Sequence, residues 1–345
     1  MKTIFIVDDN DVNLIKVKRT LGDIYRVITI SSAQRMFTIF PKIKPDLILL
    51  DINMPGMDGF SALKQLKAND ETAQIPVMFL TGYTDENIET QGFKLGAVDF
   101  LTKPYSSPVL IHRIETHLNI DGLIKSRTAR IEELKNGIIT VIGDMVESRD
   151  QGTGGHIERT TTYIQILIDK MTMQDLYADE LSGLNLQLLV SSAPLHDVGK
   201  IAISDTILKK NGKLTDEEFT IMKTHTTIGE QIIDKVALRT GDDEAFLYYA
   251  KLFAGYHHER WDGKGYPHGL DGTNIPIHGR LMAFADVYDA LISTRPYKKS
   301  FPHEETVNII MENAGTQFDP YIAEVFYAAR NEFEAVKSEQ IEYKL

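Results

Sequence analysis

The sequence predicts a multidomain protein: a doubly wound, five-stranded parallel α/β domain, a helical linker, and then an all-α domain. The chain has 345 residues, which is more than a single hydrophobic core usually serves. In its first 120 residues, short apolar runs alternate with helical patterns, as in a βα repeat. From residue 140 onward the pattern is mostly helical. We therefore predict domains at residues 1–120 and 140–340, with a linker at 121–139.

The five predicted strands are apolar runs bounded by polar turns. Residues 3–9, 46–51 and 76–81 are continuous runs, which suit strands that are buried on both faces of a parallel sheet. Residues 25–30 and 99–104 supply two more strands. The helical segments between them complete the repeat.

The composition is that of a globular protein and excludes several kinds of chemistry. Hydrophobic residues make up 43% and charged residues 25% of the chain. A net charge of −12 disfavours bulk binding to a nucleic-acid backbone, so we expect no DNA partner. The chain has no cysteine, which excludes disulfides, thiolate metal sites and cysteine nucleophiles. The apolar run at the N-terminus is too short for a signal peptide or a membrane span, so we expect a cytoplasmic protein.

Polar side chains gather at the carboxyl ends of the predicted strands, where sheets of this kind bind ligands. Asp8 and Asp9 end the first strand, Asp51 the third and Thr81 the fourth, and Lys103 follows the fifth. Carboxylate oxygens suit Mg²⁺, and an aspartate beside Mg²⁺ can attack phosphorus to form an acyl phosphate. Each residue alone is an ordinary loop residue, but together they predict a phosphoryl-transfer site.

These residues lie in motifs that resemble those of response-regulator receiver domains. The motifs are VDDN at 7–10, LLDINMPGMDG at 49–59, LTGY at 80–83 and DFLTKP at 99–104. The resemblance implies that Asp51 accepts phosphate from a sensor histidine kinase. The implied Mg²⁺ ligands are Asp9, Asp51 and the Asn53 carbonyl, with Asp8 assisting. The implied switch residues are Thr81, Phe100 and Lys103.

The linker has the pattern of a helix with an apolar seam. Ile124, Ile131 and Ile138 repeat every seven residues, and Leu134 and Val141 form a second series offset by three. This is the a/d pattern of a two-stranded coiled coil, although one d position is charged and one glycine weakens the helix. Two interpretations stay open, a helix that packs on its own domain and a dimeric signalling helix. We favour the second and therefore expect a homodimer.

The C-terminal domain carries metal-ligand residues at intervals along the chain. They are His156, His196, Asp197, His225, His257, His258 and Asp286. A lone buried histidine is usually structural, but so many in one domain indicate a metal centre. Imidazole with carboxylate suits iron, manganese or another divalent transition metal, and the lack of thiolates disfavours a closed zinc site. Clusters of this size typically hold two metals, about 3.5–4 Å apart.

The motif HDVGK at 196–200 joins this centre to a cation. On a helix, Lys200 would lie one turn after His196 on the same face. A lysine beside metal ligands repels the metals unless an anion lies between them, so we expect a phosphate there. Arg295, Tyr297 and Lys298 in STRPYKKS can add phosphate contacts, but this stretch alone is equally consistent with a solvated basic loop.

The stretch GYHHERWDGKGYP at 255–267 sets two adjacent histidines before a glycine-rich loop. In a helix, adjacent residues point to different sides, so such a pair rarely shares one face. With HDVGK and DVYDALISTRPYK, the stretch resembles the HD-GYP family of metal-dependent phosphodiesterases, whose members hydrolyse cyclic di-GMP. The resemblance runs from about residue 140 to residue 335.

The resemblance implies a response regulator in which phosphorylation of Asp51 controls hydrolysis of cyclic di-GMP to pGpG, with GMP as the product of a second cut. The ligands named above would hold two metals bridged by Asp197. Catalysis would involve Asp197 and Lys200. Phosphates would be held by Lys200, Arg295 and Lys298. The loop beside the substrate would be shaped by Gly263, Gly265, Tyr266 and Pro267.

Two departures from the family pattern bear on the pocket. Gly152 stands where an aromatic residue is usual, and the first two histidine ligands are 40 residues apart, which predicts a longer loop near 171–183. Family members with a third metal use a carboxylate one turn before the first histidine. Here Gly152 holds that place, and neither Glu147 nor Asp150 would face His156 on a continuous helix. The glycines at 152, 154 and 155 weaken that helix, so a loop could still bring Glu147 inward. We expect two metals.

Two alternative functions stay open. No residue of the loop at 263–267, called the GYP loop here, specifies guanine at both base positions of the substrate. A phosphodiesterase for another cyclic dinucleotide, such as cyclic GMP-AMP, therefore also fits the sequence. A non-catalytic cyclic di-GMP sensor could afford to lose metal ligands, whereas this chain keeps the full set. That favours an enzyme.

Overall fold

The computed structural model describes residues 1–82, 86–150, 155–241, 245–293 and 300–342, with the backbone alone for residues 150 and 337–342. The chain forms two compact units, Met1–Ile131 and Glu132–Leu345. Each is described by itself.

The first unit is built on a five-stranded parallel sheet with strand order β2-β1-β3-β4-β5. The strands are β1 (Thr3–Val7), β2 (Arg26–Ile30), β3 (Leu47–Asp51), β4 (Val77–Thr81) and β5 (Asp99–Thr102). The helices are α1 (Asp11–Leu21), α2 (Ala33–Ile39), α3 (Gly59–Lys67), α4 (Asp70–Ala73) and α5 (Glu86–Lys94), followed by the start of α6 (Ser107–Glu147). The predicted five-stranded α/β fold is confirmed.

The apolar runs form strands because both faces of this sheet are covered. On β1, Phe5 packs in one core cluster while its neighbours Ile4 and Ile6 pack in another, as the two-residue period of a strand requires. The parallel register sets Asp51 beside Leu80, so the carboxyl ends of β3 and β4 meet at one edge. This edge collects the polar residues of the first unit.

Helix α6 begins in the first unit and ends in the second without a break. The predicted linker, residues 121–139, lies wholly within it. All five residues of the predicted seam are exposed, from Leu134 at 49% to Ile131 at 66%. The helix packs on the second unit through another face, on which Ile139 and Val146 are buried.

The second unit is helical, as predicted, and its described residues add only two isolated β-bridges. Its first helices are α7 (His156–Met173), α8 (Ala178–Ser182), α9 (Leu186–Ser192), α10 (Asp205–Leu208) and α11 (Asp216–Lys223). The later ones are α12 (His225–Thr240), α13 (Ala245–Tyr256), α14 (Ile277–Ile292), α15 (His303–Glu312) and α16 (Pro320–Glu342). Short 3-10 helices lie at Ser148–Asp150, Ala193–Leu195, Val198–Ala202 and Gly272–Asn274.

The core of the second unit lies between α7, α14 and α16. Tyr163, Tyr288 and Phe333 pack there ring against ring, with centroids 4.6–5.1 Å apart. The connection from α7 to α9 contains α8 and is pinned to this core, because Tyr177 donates a hydrogen bond to buried Asp319 at 2.9 Å. No helix among the described residues is both long and apolar enough to span a bilayer.

Candidate metal-dependent active site

The structure gathers the predicted metal ligands of the second unit into two groups. One contains His225, His257 and His258, and the other contains His156, His196 and Asp286. Within each group the ligand atoms lie within 4.8 Å of one another. These groups bring together six residues from five separate segments of the chain.

Asp197 lies between the two groups and offers one oxygen to each. Its Oδ1 is 3.4 Å from Nε2 of His225 and 3.6 Å from Nε2 of His257. Its Oδ2 is 3.4 Å from Nε2 of His196. This is the arrangement that a bridging carboxylate requires.

The ends of secondary-structure elements place the ligands. His156 and His225 are the first residues of α7 and α12, while His196 and Asp197 connect two 3-10 helices. The expectation that adjacent histidines diverge is wrong for His257 and His258, whose ring centroids are 4.1 Å apart. Helix α13 ends just before them, at Tyr256, so helical geometry does not separate their side chains.

Four of the imidazoles are oriented by a hydrogen bond from Nδ1. The acceptors are Ala193 O for His196 (3.0 Å), Met222 O for His225 (2.7 Å), Phe253 O for His257 (2.9 Å) and Asp289 Oδ2 for His156 (2.8 Å). An Nδ1–H that donates to oxygen leaves the Nε2 lone pair for a metal, which is the usual arrangement around metal-binding histidines. Backbone carbonyls therefore orient three of these rings as ligands, and the Asp289 carboxylate orients the fourth.

The charge states are those that metal ligands need. Burial lowers the pKa of His225 to about 4 and lowers that of His258 well below its usual value. Burial by itself would raise the pKa of Asp197, but Lys200 and His196 outweigh it and hold that pKa well below its usual range. At neutral pH these two imidazoles are neutral and the central carboxylate is ionised, ready for a cation.

The donor set fits divalent cations. Nε2 of His225 and of His257 face each other at 3.3 Å, and no protein group among the described residues hydrogen-bonds to the buried Nε2 of His196 or Oδ1 of Asp197. Buried polar atoms without partners are costly, and a cation between them would satisfy both groups. Nitrogen and carboxylate donors without thiolates match transition metals such as iron or manganese.

Asp289 and Arg159 belong to this centre, although the sequence analysis did not single them out. Arg159 Nε donates to Asp289 Oδ1 at 2.5 Å and its Nη2 donates to Oδ2 at 2.9 Å, while Asp289 also accepts from His156. All three side chains are buried. The signal was present in the sequence, because His156/Arg159 on α7 and Asp286/Asp289 on α14 each have the three-residue spacing of one helix face.

Glu147 is the last residue of α6, and burial raises the pKa of its carboxyl. The charges of His156, Asp289 and Arg159 also act on this pKa. A 3-10 helix, Ser148–Asp150, follows α6, so the chain before His156 is not one continuous α-helix. The helical spacing therefore does not exclude Glu147 as a ligand, and the number of metals stays a prediction.

Lys200 lies beside the Asp197 carboxylate, with Nζ 2.8 Å from Asp197 Oδ2. The segment that carries it is a 3-10 helix, Val198–Ala202, and not the α-helix that was assumed. Position 199 requires glycine, because a Cβ there would lie 1.8 Å from His225 O. The HDVGK segment therefore packs directly against the start of α12.

The GYP loop covers the group that contains His258. The Tyr266 ring lies 4.8 Å from the ring of His258, and a cis peptide bond joins Tyr266 to Pro267. Gly263 has φ +74°, and a Cβ at Gly265 would lie 2.4 Å from the Arg260 nitrogen, so both glycines are required.

Glu259 holds this loop and was also missed by the sequence analysis. Its carboxylate is buried and accepts from the backbone N–H groups of His268 (2.7 Å), Gly269 (3.2 Å) and Leu270 (3.0 Å). These three residues follow Pro267, so Glu259 fixes the chain just beyond Tyr266. Arg295, Tyr297, Lys298 and Gly152 lie outside the described residues.

In the first unit, the polar edge of the sheet brings Asp8, Asp51 and Lys103 together. Lys103 Nζ lies 2.7 Å from Asp8 Oδ2 and also contacts Asp51 Oδ1. Burial raises the pKa of Asp51 in spite of this lysine. The Asn53 N–H donates to Asp51 Oδ2 at 3.0 Å.

The other predicted residues of this site differ in exposure. Asp9 is exposed at the rim, and Thr81 is buried at the end of β4. Phe100 is buried, with ring centroids 5.1 Å from Phe79 and 5.0 Å from Phe93. The aromatic residue of the predicted switch is therefore turned inward in this structure.

Comparison with known proteins agrees with both halves of the chain. The family model of the response regulator receiver domain matches residues 4–115, and that of the HD domain matches residues 140–322. A Vibrio cholerae serotype O1 protein named probable cyclic di-GMP phosphodiesterase is 39% identical over 96% of this chain and 78% of its own length. The cyclic di-GMP phosphodiesterase response regulator RpfG of Xanthomonas campestris pv. campestris is 32% identical over 84% of this chain and 77% of its own length.

A third relative is named 3'3'-cGAMP-specific phosphodiesterase 2, also from Vibrio cholerae serotype O1. It is 35% identical over 60% of this chain, but the match covers only 37% of that protein. A receiver fold followed by a helical domain with a histidine–aspartate centre defines a response regulator with a metal-dependent phosphodiesterase output. The chain belongs to the family of response regulators that join a receiver domain to an HD domain of the HD-GYP type.

Proposed function

We propose that this protein hydrolyses cyclic di-GMP to pGpG, with GMP as a slower second product, under the control of phosphate on Asp51. The observation that carries the proposal is the convergence of oriented imidazoles on both oxygens of Asp197, with Lys200 beside them. The names of the Vibrio and Xanthomonas relatives support cyclic di-GMP as the substrate.

Two divalent cations, iron or manganese, suit the two ligand groups, with Asp197 as the bridge. Cations of this kind lower the pKa of a bound water and stabilise negative charge on phosphoryl oxygens. Asp289 fixes the ring of His156 for this role, and Arg159 in turn fixes Asp289.

The remaining side chains bind and orient the substrate. Lys200 exchanges its contact with Asp197 for a phosphate oxygen and stabilises charge on it. Burial raises the pKa of Tyr266, so its hydroxyl stays protonated and can donate to a phosphate or a base. The loop held by Glu259 keeps Tyr266 over His258 and limits the access of water.

The receiver unit supplies the control. Asp51 accepts phosphate from a sensor histidine kinase with Mg²⁺ held by Asp8, Asp9, Asp51 and the Asn53 carbonyl. Lys103, which pairs with both Asp8 and Asp51, then contacts the phosphoryl group. Thr81 and Phe100 are the switch residues, which change position when Asp51 is phosphorylated.

A homodimer formed through α6 suits the exposed seam. Ile124, Ile131 and Ile138 are each at least 59% exposed, whereas Ile139 on the neighbouring face is buried against the second unit. The seam therefore has no partner within the described residues of the unit that the helix packs on, and a second copy would cover it. Sedimentation of the protein with Ile131→Glu should show monomers if the seam is the interface. An unchanged dimer would place the interface elsewhere.

The experiment that tests the function is metal analysis of anaerobically purified protein, with turnover measured on the same sample. Cyclic di-GMP, 3'3'-cyclic GMP-AMP and pGpG should be compared at equal concentration. We expect two metals per chain and the highest kcat/KM for cyclic di-GMP. A metal-loaded protein that binds cyclic di-GMP without hydrolysing it would instead be a sensor.

A second candidate substrate is 3'3'-cyclic GMP-AMP, which the third relative favours by its name. The same substrate panel decides between the two. A kcat/KM that is higher for the mixed dinucleotide than for cyclic di-GMP would establish this alternative.

A further inference from the structure

The C-terminal end of α6 packs on the segment that carries the HD pair. Ile139 lies in one apolar cluster with Leu195 and Val198, which flank His196 and Asp197 in the sequence. One turn later, α6 comes so close to this segment that a Cβ at Gly143 would lie 3.0 Å from Pro194 O. The last turns of this long helix therefore touch the backbone from which two predicted metal ligands project.

Arg149, in the 3-10 turn that follows α6, grips the other end of the same segment. Its Nη1 donates to the carbonyl oxygens of Ile201 (2.8 Å) and Lys200 (3.2 Å), and its Nη2 donates to Ile203 O (3.0 Å) and to Asp205 Oδ1 (2.7 Å). The last carbonyl groups of a helix find few N–H donors within the helix itself. A guanidinium satisfies several of them at once with charge-assisted hydrogen bonds.

The opposite side of the segment is closed by α12. There is no room for a side chain at Gly199. A Cβ on Gly199 would lie against His225 O and 2.6 Å from the backbone nitrogen of Gly229. The Val198–Ala202 turn is thus clamped between α12 and the Arg149 guanidinium. Because Lys200 projects from this turn and Asp197 begins it, the clamp sets where Lys200 Nζ and the Asp197 carboxylate lie.

We propose that Arg149 is a positioning residue that joins the end of α6 to the segment 196–205. It thereby holds Lys200 and Asp197 where they can act on the phosphodiester. Its place two residues beyond the end of α6 makes it, like Ile139, a contact through which a shift of that helix reaches the site. The catalytic part of the inference rests on the proposed function, whereas the structural part does not.

The test compares the full chain with Arg149→Gln, Arg149→Lys and the matched surface control Arg239→Gln, whose arginine is exposed on α12. Three quantities are measured for each: metal content, amide hydrogen exchange of residues 197–205, and kcat and KM for cyclic di-GMP. Thermal unfolding followed by circular dichroism confirms that each variant is folded. If Arg149→Gln does not fold, the milder Arg149→Lys carries the test.

Arg149→Gln should keep its metal and lose exchange protection across residues 198–205. It should lower kcat by about ten- to hundredfold with little change in KM, because a displaced catalytic group slows the chemical step more than it weakens substrate binding. Arg149→Lys, which keeps the charge but not the fork, should fall between Arg149→Gln and the wild type. The control should match the wild type in all three quantities.

Unchanged exchange protection would overturn the inference whatever the activity. Unchanged kcat with lost protection, or loss of metal as the main effect, would overturn it as well. If the wild type itself does not hydrolyse cyclic di-GMP, the proposed function fails, and the exchange comparison still decides the role of Arg149.

Discussion

Both units place a lysine on an acidic residue, but they build the surrounding site in opposite ways. Lys103 bridges Asp8 and Asp51 at the edge of a sheet, and Asn13 Nδ2 also donates to both oxygens of Asp8, at 3.1 and 3.0 Å. Lys200 pairs with Asp197 inside a set of imidazoles, four of which are locked by hydrogen bonds from Nδ1. The first site is an arrangement of strand ends, and the second is an arrangement of helix ends with a supporting shell.

The pKa directions show what this difference does. Burial raises the pKa of Asp51 even with Lys103 in contact, whereas Lys200 and His196 overcome burial and depress the pKa of Asp197. A carboxylate with a raised pKa suits a site that gains a cation and a phosphoryl group and then releases them. A carboxylate that stays ionised among fixed imidazoles suits a metal centre. The protein's own groups therefore prepare Asp197 for a cation more fully than they prepare Asp51.

The largest effect should come from Asp197→Ala, which removes a carboxylate that offers one oxygen to each ligand group. We expect loss of metal and a fall in turnover of at least about a thousandfold, since the metals supply several kcal/mol of transition-state stabilisation. Metal analysis and turnover on one sample check both effects. Hydrolysis that persists in a metal-containing Asp197→Ala protein would break the comparison, because the bridge would then be unnecessary.

Asp289→Asn tests whether orientation of His156 matters for the metal centre. Asparagine keeps the size but loses the charge that pairs with Arg159, so metal affinity should weaken by roughly ten- to hundredfold. Competition with a chelator measures this affinity in the absence of substrate. Asp179→Asn, at an exposed aspartate on α8, is the control. Equal affinities in the two variants would show that the His156 site needs no supporting shell.

Glu259→Gln should act on substrate binding rather than on metal. A glutamine cannot accept from all three N–H groups beyond Pro267, and one unpaired buried donor costs about 1–3 kcal/mol. We expect KM for cyclic di-GMP to rise about tenfold, with metal content unchanged. Glu217→Gln, at an exposed position of α11, serves as the control. A rise in KM of equal size in that control would remove the special role of the loop anchor.

The smallest effect on hydrolysis should come from Asp51→Asn. Phosphate incorporation from acetyl phosphate with Mg²⁺ should disappear, while basal turnover stays within about twofold of the wild type because the phosphoacceptor and the metal centre lie in different units. Asp23→Asn, an exposed aspartate in the first unit, should still incorporate phosphate. Incorporation that continues in Asp51→Asn would place the acceptor elsewhere.

The sequence by itself predicted the five strands, most directly β1, β3 and β4, whose continuous apolar runs suit strands buried on both faces of a sheet. It also pointed to each member of the two ligand groups and to Lys200, because so many histidines in one domain, beside aspartate and lysine, indicate a metal centre. The residue types within short stretches of the chain carry this kind of information.

Only the tertiary structure decided the partners that come from other segments. Asp289 meets His156 across two helices, Glu259 reaches backbone nine to eleven residues away, and Arg149 grips carbonyls more than fifty residues later in the chain. The helical period used for Glu147 does not extend to His156, because α6 ends at Glu147 and a 3-10 helix follows it. Contacts between elements depend on how helix ends meet in space, and no periodicity within one element encodes that meeting.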